Sequence, residues 1–298
     1  MTFTIRPGLV AGARPLSRLG DDAQPVAYDR FEVRPAGPTI GAEICGVDIG
    51  APVDDELFAQ LDRALLEWKV LWFRDQDISG GEHRDFARRW GELEVHPFLP
   101  AGEVPEVVRF DKGPNESGYE NIWHSDVSWR LEPSLGSVLR CITPAKQGGD
   151  TLWADMYMAY QCLDDETKER IEDLRAVHDF TASFGLGMGA DKLAEMREQY
   201  PPAEHPMVRT HPRTARRLLY VNEVFTTHVV GLEAGESAAL LAYLSAQARI
   251  PEYQCRFRWE ANSVAFWDNR CTQHYAVSDY APQRRVMERA TIIGDRPR

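Results

Sequence analysis

The sharpest local pattern in the sequence lies at residues 121–129, which read Asn121-Ile122-Trp123-His124-Ser125-Asp126-Val127-Ser128-Trp129. Aromatic and β-branched residues are typical of strands, and successive side chains of a strand point to opposite faces. A strand here would place His124 and Asp126 on one face, where an imidazole and a carboxylate can bind the same divalent metal. A surface pair would give the same tripeptide by chance, so a metal site needs a further ligand.

Strand-like segments dominate the middle and the end of the chain, with helices between them. Asp54 is a candidate N-cap for a helix that ends near Trp68, and a strand from Val70 to Arg74 follows at once. Helices are also predicted at 79–90, 155–173, 191–199 and 234–249, and strands near 105–110, 121–129, 136–142, 151–154, 219–223, 262–268 and 286–293. The absence of a regular strand–helix alternation argues against a doubly wound sheet. The expected fold is mainly β with flanking helices (α+β), as a β-sandwich or jelly roll.

The composition is that of an ordinary globular chain of 298 residues with a formal net charge of −12. No apolar run is long enough to cross a membrane, and the acidic balance argues against binding to nucleic acid or to an acidic membrane surface. Five scattered cysteines without a Cys-x-x-Cys pair favour a reduced, cytoplasmic protein. Residues 1–30 are predicted to be a loosely ordered arm, and residues 31–298 to form one domain.

A third metal ligand is expected from His274, which follows a buried-looking strand and a turn-rich stretch. Two histidines and one carboxylate leave three coordination positions open, as non-haem Fe(II) oxygenases require for a cosubstrate and oxygen. A zinc hydrolase commonly needs one open position, for water, and is an alternative at this stage. Cys271 is interpreted as a structural thiol. The remaining histidines apart from His96 are expected to pack, cap or face solvent: His83, His178, His205, His211 and His228.

The last predicted strand carries two arginines on one face. Arg285 and Arg289 are roughly 13 Å apart along a strand, with Met287 between them. Buried guanidinium groups need anions, and they pair with carboxylates or sulfonates through parallel hydrogen bonds. The pattern therefore predicts two anionic ligands, unless both arginines are solvated on an edge strand. Arg284, on the opposite face, is assigned to solvent.

Several motifs together resemble one family, the Fe(II)- and 2-oxoglutarate-dependent dioxygenases of the taurine dioxygenase (TauD/TfdA) type. The similarity runs from about Phe31 to Asp295 and is carried by Trp123-His124-Ser125-Asp126, Gly148-Gly149-Asp150-Thr151-Leu152-Trp153, Val221-Asn222-Glu223, Trp267-Asp268-Asn269-Arg270, Gln273-His274-Tyr275 and Gln283-Arg284-Arg285. The resemblance implies a double-stranded β-helix (jelly-roll) core with Fe(II) bound by His124, Asp126 and His274. It also implies that Arg285, assisted by Thr151, binds the distal carboxylate of 2-oxoglutarate, the cosubstrate used with O2.

The substrate side is also similar to taurine dioxygenase. The resemblance implies that His96 and Arg289 bind the sulfonate, and that two aromatic walls are formed by Phe184 and Phe225. Two positions depart from the family, because Leu99 replaces a tyrosine and Glu120 an asparagine, both near the expected place of the taurine amine. Glu120 can pair with an ammonium group, whereas a longer alkylsulfonate or a sulfate ester fits a pocket whose far end is altered.

The implied reaction hydroxylates the carbon next to the sulfur-bearing group of a small sulfonate such as taurine, and it releases sulfite and an aldehyde with succinate and CO2. An alkyl sulfate ester is the alternative substrate. A metal-dependent hydrolase would not need Arg285 and Arg289, and a catalytically silent cupin-like binding protein would be expected to lack a ligand or the cosubstrate arginine. Family members are often dimers or tetramers, so a homo-oligomer is expected.

Overall fold

The computed structural model describes residues 16–21, 23–96, 103–113, 120–185 and 187–298. The strands are β1 (Glu32–Pro35), β2 (Ala42–Cys45), β3 (Val70–Phe73), β4 (Val107–Lys112), β5 (Ser134–Thr143), β6 (Thr151–Asp155), β7 (Arg175–His178), β8 (Ala203–Pro206), β9 (Val208–Thr210), β10 (Arg217–Leu219), β11 (Thr226–Val229), β12 (Gln254–Phe257), β13 (Val264–Asp268), β14 (Thr272–Ala276) and β15 (Arg285–Ile293). The α-helices are α1 (Asp55–Trp68), α2 (Gly80–Ala87), α3 (Met156–Gln161), α4 (Asp165–Ile171), α5 (Ala190–Gln199) and α6 (Ala234–Ser245). Within these ranges, no helix combines the length and apolarity that a membrane span requires.

Two sheets face each other and form the core. The larger has seven strands in the order β1-β2-β3-β13-β5-β15-β4; β2 and β3 pair in parallel, and the other neighbours are antiparallel. The smaller has the order β12-β6-β14. Tryptophans fill the space between them, with ring centroids 6.3 Å apart for Trp72 and Trp153 and 5.8 Å apart for Trp153 and Trp267. The mainly β architecture with a jelly-roll core is confirmed.

Helices α1 and α2 cover the outer face of the larger sheet. The Asp54 carboxylate accepts a hydrogen bond of 2.8 Å from the Leu57 backbone N–H, which confirms the predicted N-cap. The apolar stripe of α1, including Leu61 and Leu65, is buried in one cluster with Phe266 of β13. Strand β13 is buried on both faces because helices cover one and the smaller sheet covers the other.

The predicted strand at 121–129 is wrong. His124 makes an isolated antiparallel bridge with His274, and a turn follows in which Val127 has a φ of 46°. The reason is a side chain that replaces a strand partner: the Asp126 N–H donates to Asn269 Oδ1 at 2.8 Å, and Asn269 Nδ2 donates to the Asp126 carbonyl at 3.0 Å. His124 and Asp126 therefore converge through a turn.

Other boundaries also differ from the sequence expectation. The helix predicted at 155–173 is divided into α3 and α4, because Asp164 accepts a hydrogen bond of 2.8 Å from the Thr167 N–H and caps a second helix. His274 lies within β14, a strand that the sequence analysis did not predict, and the strand predicted at 219–223 ends at Leu219 as β10. The predictions for α1, α2, α5 and α6 are correct to within a few residues at their starts, and 3-10 turns extend α2 and α6 to Trp90 and Arg249.

The described part of the N-terminal arm contacts α1. The Arg18 side chain donates to Glu67 at 2.5 Å, and the Tyr28 hydroxyl donates to the same carboxylate at 2.7 Å. Lys69 Nζ, buried in an ion pair of 3.1 Å with Asp155, donates to the Arg18 carbonyl at 3.1 Å. Residues 1–15 and 22 of the predicted arm lie outside the described residues, and the boundary at residue 31 stays a prediction.

One buried histidine of α2 gives a prediction on acid stability. His83 Nε2 hydrogen bonds to the Val138 carbonyl at 2.9 Å, and burial lowers its pKa from the usual 6.5 to about 4. Between these values the unfolded chain binds a proton that the folded state does not, so stability is lost as the pH falls from 6.5 to 4. The expected loss from this group is about 3 kcal/mol. Urea unfolding at pH 7 and pH 4 measures how much the free energy of unfolding falls between the two pH values, and this fall should be smaller for His83→Gln than for the wild type. The control is His228→Gln, at an exposed histidine. An equal fall in the wild type and both variants would contradict the assignment.

Candidate active site

The structure brings His124, Asp126 and His274 together. Their ligand atoms all lie within 4.8 Å of one another, and Asp126 Oδ1 is 3.8 Å from His124 Nε2 and 3.9 Å from His274 Nε2. The two histidines are joined by backbone hydrogen bonds in both directions, of 3.1 and 2.8 Å. Strand β14 and the turn after residue 124 thus hold three potential ligands in one small buried volume.

The protonation of this group suits a divalent metal. His124 Nδ1 lies 2.8 Å from the Ile122 carbonyl and therefore carries the proton, so Nε2 is left as a lone-pair donor towards Asp126. Burial lowers the pKa of His274 to about 3, which keeps it neutral. Burial alone would raise the pKa of Asp126, but the charge of the neighbouring Arg289 guanidinium holds it well below the usual range. Two imidazoles and a carboxylate fit a ferrous ion.

Asn269 and Ser137 are site residues whose roles the sequence did not reveal. The Asn269 side chain bonds both backbone groups of Asp126 and also donates to the Ser134 hydroxyl at 2.9 Å, which ties the turn to β5. Ser137 Oγ donates to Asp126 Oδ2 at 3.4 Å. Asn269 falls in a quoted motif, but the contact spans 143 residues and has no local signal.

Arg285 and Thr151 line one cavity together with His124 and His274. The Arg285 Nε and Nη2 atoms are buried, and no hydrogen-bond partner for them is found among the described residues. The Trp259 indole N–H donates to Thr151 Oγ1 at 3.0 Å, so the Thr151 hydroxyl proton remains available to an acceptor in the cavity. A buried guanidinium and a hydroxyl donor fit the distal carboxylate of 2-oxoglutarate.

Gly149 allows Arg285 to lie in this position. Its φ is +71°, a conformation that favours glycine, and a Cβ there would lie 3.2 Å from Arg285 Cδ and 3.3 Å from Nε. The Gly149 N–H donates to Asp279 Oδ1 at 2.8 Å, which fixes the turn. Gly148 and Gly149 belong to a motif that carries the family resemblance, but the sequence did not reveal the contact of Gly149 with Arg285.

Arg289 lies on the same face of β15 as Arg285 and Met287, as predicted, and all three line the cavity. Its Nη1 is 3.1 Å from Asp126 Oδ1 and 3.2 Å from Oδ2, a pair that the sequence did not predict. The Arg289 Nε atom is buried without a partner among the residues described, so the guanidinium retains a donor for another anion. Arg284 is exposed and pairs with Asp111 at 2.6 Å, which confirms its assignment to the solvent face.

Aromatic side chains connect the three-ligand group to His96. The Phe225 ring is perpendicular to His124 at 6.3 Å and parallel to Phe184 at 6.3 Å, and Phe184 lies 6.1 Å from the buried His96 ring. Burial, followed by the charge of Arg289, lowers the pKa of His96 to about 4. These residues form a mainly apolar wall that ends in a neutral imidazole.

Glu120 lies at the mouth of the cavity that Arg285 lines. Its carboxylate is 3.7 Å from Lys112 Nζ, and its side chain is 45% exposed. An ammonium group of a substrate would share this carboxylate with Lys112. Leu99 lies outside the described residues.

A second group of potential ligands, His211, Asp268 and Cys271, is also compact and buried. Both Asp268 oxygens are already bound, by Arg270 at 2.9 and 2.7 Å and by His211 Nε2 at 3.1 Å. His211 Nδ1 accepts two backbone N–H groups at 3.2 Å. Burial raises the pKa of Cys271 well above its usual value, so the sulfur stays a thiol. This group is a structural network.

Comparisons with known proteins all point to one family. The family model "Taurine catabolism dioxygenase TauD, TfdA family" matches residues 32–291. A Pseudomonas putida relative, "Alpha-ketoglutarate-dependent sulfate ester dioxygenase", is 34% identical over 277 residues, 90% of this chain and 91% of the relative. An "Alkylsulfatase" of Acinetobacter baylyi is 33% identical over 274 residues, 89% of this chain and 86% of the relative. A solved taurine dioxygenase from Burkholderia xenovorans superimposes with a TM-score of 0.79 and 37% identity, over 90% of this chain and 93% of that one.

The protein is thus a 2-oxoglutarate-dependent dioxygenase, which uses Fe(II), 2-oxoglutarate and O2. The chain belongs to the TauD/TfdA family. The resemblance inferred from the sequence motifs is confirmed, and the hydrolase and silent-binding alternatives are set aside.

Proposed function

We propose that this enzyme hydroxylates the carbon next to the sulfur-bearing group of a small sulfonate or sulfate ester. The hydroxylated product of a sulfonate breaks down to an aldehyde and sulfite, and that of a sulfate ester to an aldehyde and sulfate. The observation that carries the proposal is a second arginine in the cavity, the partly buried Arg289, which lies beside Asp126 on the same strand face as Arg285. One cationic group suffices for the cosubstrate, so the other serves a second anion.

The roles of the side chains follow from their positions. His124, Asp126 and His274 would hold Fe(II), and Arg285 with Thr151 would bind the distal carboxylate of 2-oxoglutarate. Fe(II), when bound with 2-oxoglutarate and O2, supplies the oxidising chemistry that leaves succinate and CO2. The substrate anion would be bound by Arg289 and His96, while Phe184 and Phe225 orient the carbon chain and exclude water.

Taurine and an alkyl sulfate are the two candidates for the specific substrate. Taurine has an ammonium group, for which Glu120 provides a carboxylate at the cavity mouth. An alkyl sulfate has an apolar chain, which suits the wall formed by Phe184 and Phe225. The sulfate ester relatives support the second, and the taurine dioxygenase structure supports the first.

The test begins without oxygen. Addition of Fe(II) and then 2-oxoglutarate should give a visible charge-transfer band. Oxygen is then admitted with taurine, hexanesulfonate or hexyl sulfate, while succinate, sulfite and sulfate are measured. Succinate and sulfite formed in equal amounts identify a sulfonate substrate. Succinate and sulfate formed in equal amounts identify a sulfate ester substrate. Turnover of an aryloxyacetate in place of all three sulfur compounds would contradict the proposal.

Arg289→Ala tests the anion assignment. Removing one partner of a buried ion pair costs about 3–5 kcal/mol, so we expect the KM for the sulfur substrate to rise by about 10²-fold or more. Arg109→Ala is the matched control, because Arg109 forms an exposed ion pair of 3.0 Å with Glu288 next to this site on the sheet. An unchanged substrate KM in Arg289→Ala would remove this residue from the substrate site.

Three broader features are also part of the proposal. Residues 31–298 act as one catalytic domain, the protein is a cytoplasmic enzyme, and it assembles as a homo-oligomer. Size measurement by light scattering tests the last of these.

A further inference from the structure

The turn that follows Asp126 is buried and conformationally demanding. Val127 has a φ of 46°, which is rare for a β-branched residue, and the Arg130 N–H closes the turn on the Val127 carbonyl at 2.9 Å. Ser128, at the centre of the turn, is 0% exposed. Such a turn needs support from other segments, since its own hydrogen bond fixes only its ends.

Three side chains from distant segments supply that support. Asn222 Nδ2 donates to Ser128 Oγ at 2.9 Å, and His178 Nδ1 lies 3.0 Å from the same oxygen. Because the amide nitrogen can only donate, Ser128 Oγ is the acceptor in its bond with Asn222. His205 Nε2 lies 2.9 Å from each of the carbonyls of Ser128 and Arg130 and donates to them.

Asn222 also binds the aromatic wall. Its Oδ1 accepts the backbone N–H of Phe225 at 2.9 Å and that of Val224 at 3.2 Å. The Phe225 ring faces His124 at 6.3 Å. A single planar carboxamide therefore connects the turn of one proposed iron ligand with the wall proposed to orient the substrate.

We propose that Asn222 and Ser128 are positioning residues, whose hydrogen bond fixes the Phe225 wall relative to Asp126 so that the reacting carbon is held in register with the iron centre. The motif Val221-Asn222-Glu223 contributed to the family resemblance, and this contact gives its asparagine a role. The inference rests on the proposed function, because it takes Asp126 as an iron ligand and Phe225 as a substrate wall.

The experiment compares Ser128→Ala, Asn222→Ala and the double variant with the wild type. Under anaerobic conditions, the Fe(II)–2-oxoglutarate band should form in all four proteins, because no variant removes a proposed ligand and Asn269 still bonds both backbone groups of Asp126. Addition of whichever of taurine or hexyl sulfate the wild type turns over should shift this band in the wild type but not in the variants. With oxygen present, succinate formed per sulfite or sulfate released should rise about 10-fold in the variants, and the double variant should equal the single ones.

The control is Ser263→Ala, which removes an equally buried hydroxyl that accepts from Arg74 at 2.9 Å outside the site. Loss of the band shift in this control, or additive effects in the double variant, would show that Asn222 and Ser128 act only through general stability. Retention of a wild-type shift and ratio in Ser128→Ala would overturn the inference, even if Asn222→Ala failed to fold. Absence of the band in the wild type would instead overturn the proposed function.

Discussion

Asp126→Ala should abolish iron-dependent turnover, with a loss of at least about 10³-fold. The substitution removes the only carboxylate of the His124–Asp126–His274 group, so two imidazoles alone would face a divalent ion beside the Arg289 guanidinium. Leaving a buried charge without its partner costs about 3–5 kcal/mol, and the lost metal bond adds to this. The metal-free variant should also unfold at a lower temperature, because Arg289 loses its anion.

Anaerobic titration with Fe(II) and 2-oxoglutarate measures the first effect, and calorimetry of the metal-free protein measures the second. Asp111→Ala is the matched control, since Asp111 of β4 forms an exposed ion pair of 2.6 Å with Arg284, which immediately precedes β15. Asp111→Ala should keep both the band and the activity. A charge-transfer band of wild-type strength in Asp126→Ala would show that another residue binds the metal.

Arg285→Ala should raise the KM for 2-oxoglutarate by about 10²- to 10³-fold, from the same estimate of about 3–5 kcal/mol for an unpaired buried charge. Its effect on stability should have the opposite sign to that of Asp126→Ala. Burial lowers the pKa of Arg285, and among the described residues its Nε and Nη2 lack acceptors. The cation is therefore a cost to the ligand-free fold, and its removal should leave the unfolding temperature unchanged or raised.

Arg284→Ala provides a control one residue away, on the opposite face of β15. It should leave the KM for 2-oxoglutarate unchanged, because its guanidinium pairs with Asp111 in solvent. If both variants raised that KM equally, a disturbance of the strand would explain the result and the cavity assignment would be wrong.

Sequence reasoning found the three potential ligands but not the backbone that holds them. His124 and Asp126 were expected to converge by strand alternation, whereas the structure uses a turn held by the Asn269 side chain. Alternation did predict the common face of Arg285 and Arg289, because β15 is a long regular strand. The difference lies in where the backbone hydrogen bonds go: a continuous ladder leaves a periodic pattern in the sequence, and a side chain from a distant residue does not.

Contacts between distant segments account for most of what was missed. The Arg289–Asp126 pair, the approach of Gly149 to Arg285 and the Asn222–Ser128 bond each join residues far apart in the chain. The short strands β7 to β11, of three or four residues, were missed or misplaced because they hold too few residues to show a period. Residue type indicates possible chemistry, but only tertiary packing decides which residues meet.

Because both arginines lie on one face of one strand, the distance between them is fixed, whereas the surfaces around them can vary. Strand β15 is bonded on both sides, to β4 and β5, so the span between the two anion positions cannot be adjusted. Under the proposed function, selectivity among sulfur compounds would then come from the surfaces around the carbon chain, at Phe184, Phe225 and the cavity mouth. Substitutions at those surfaces could accommodate a new substrate without any change in the residues proposed to bind iron and 2-oxoglutarate. Substrate specificity could therefore change readily on this fold.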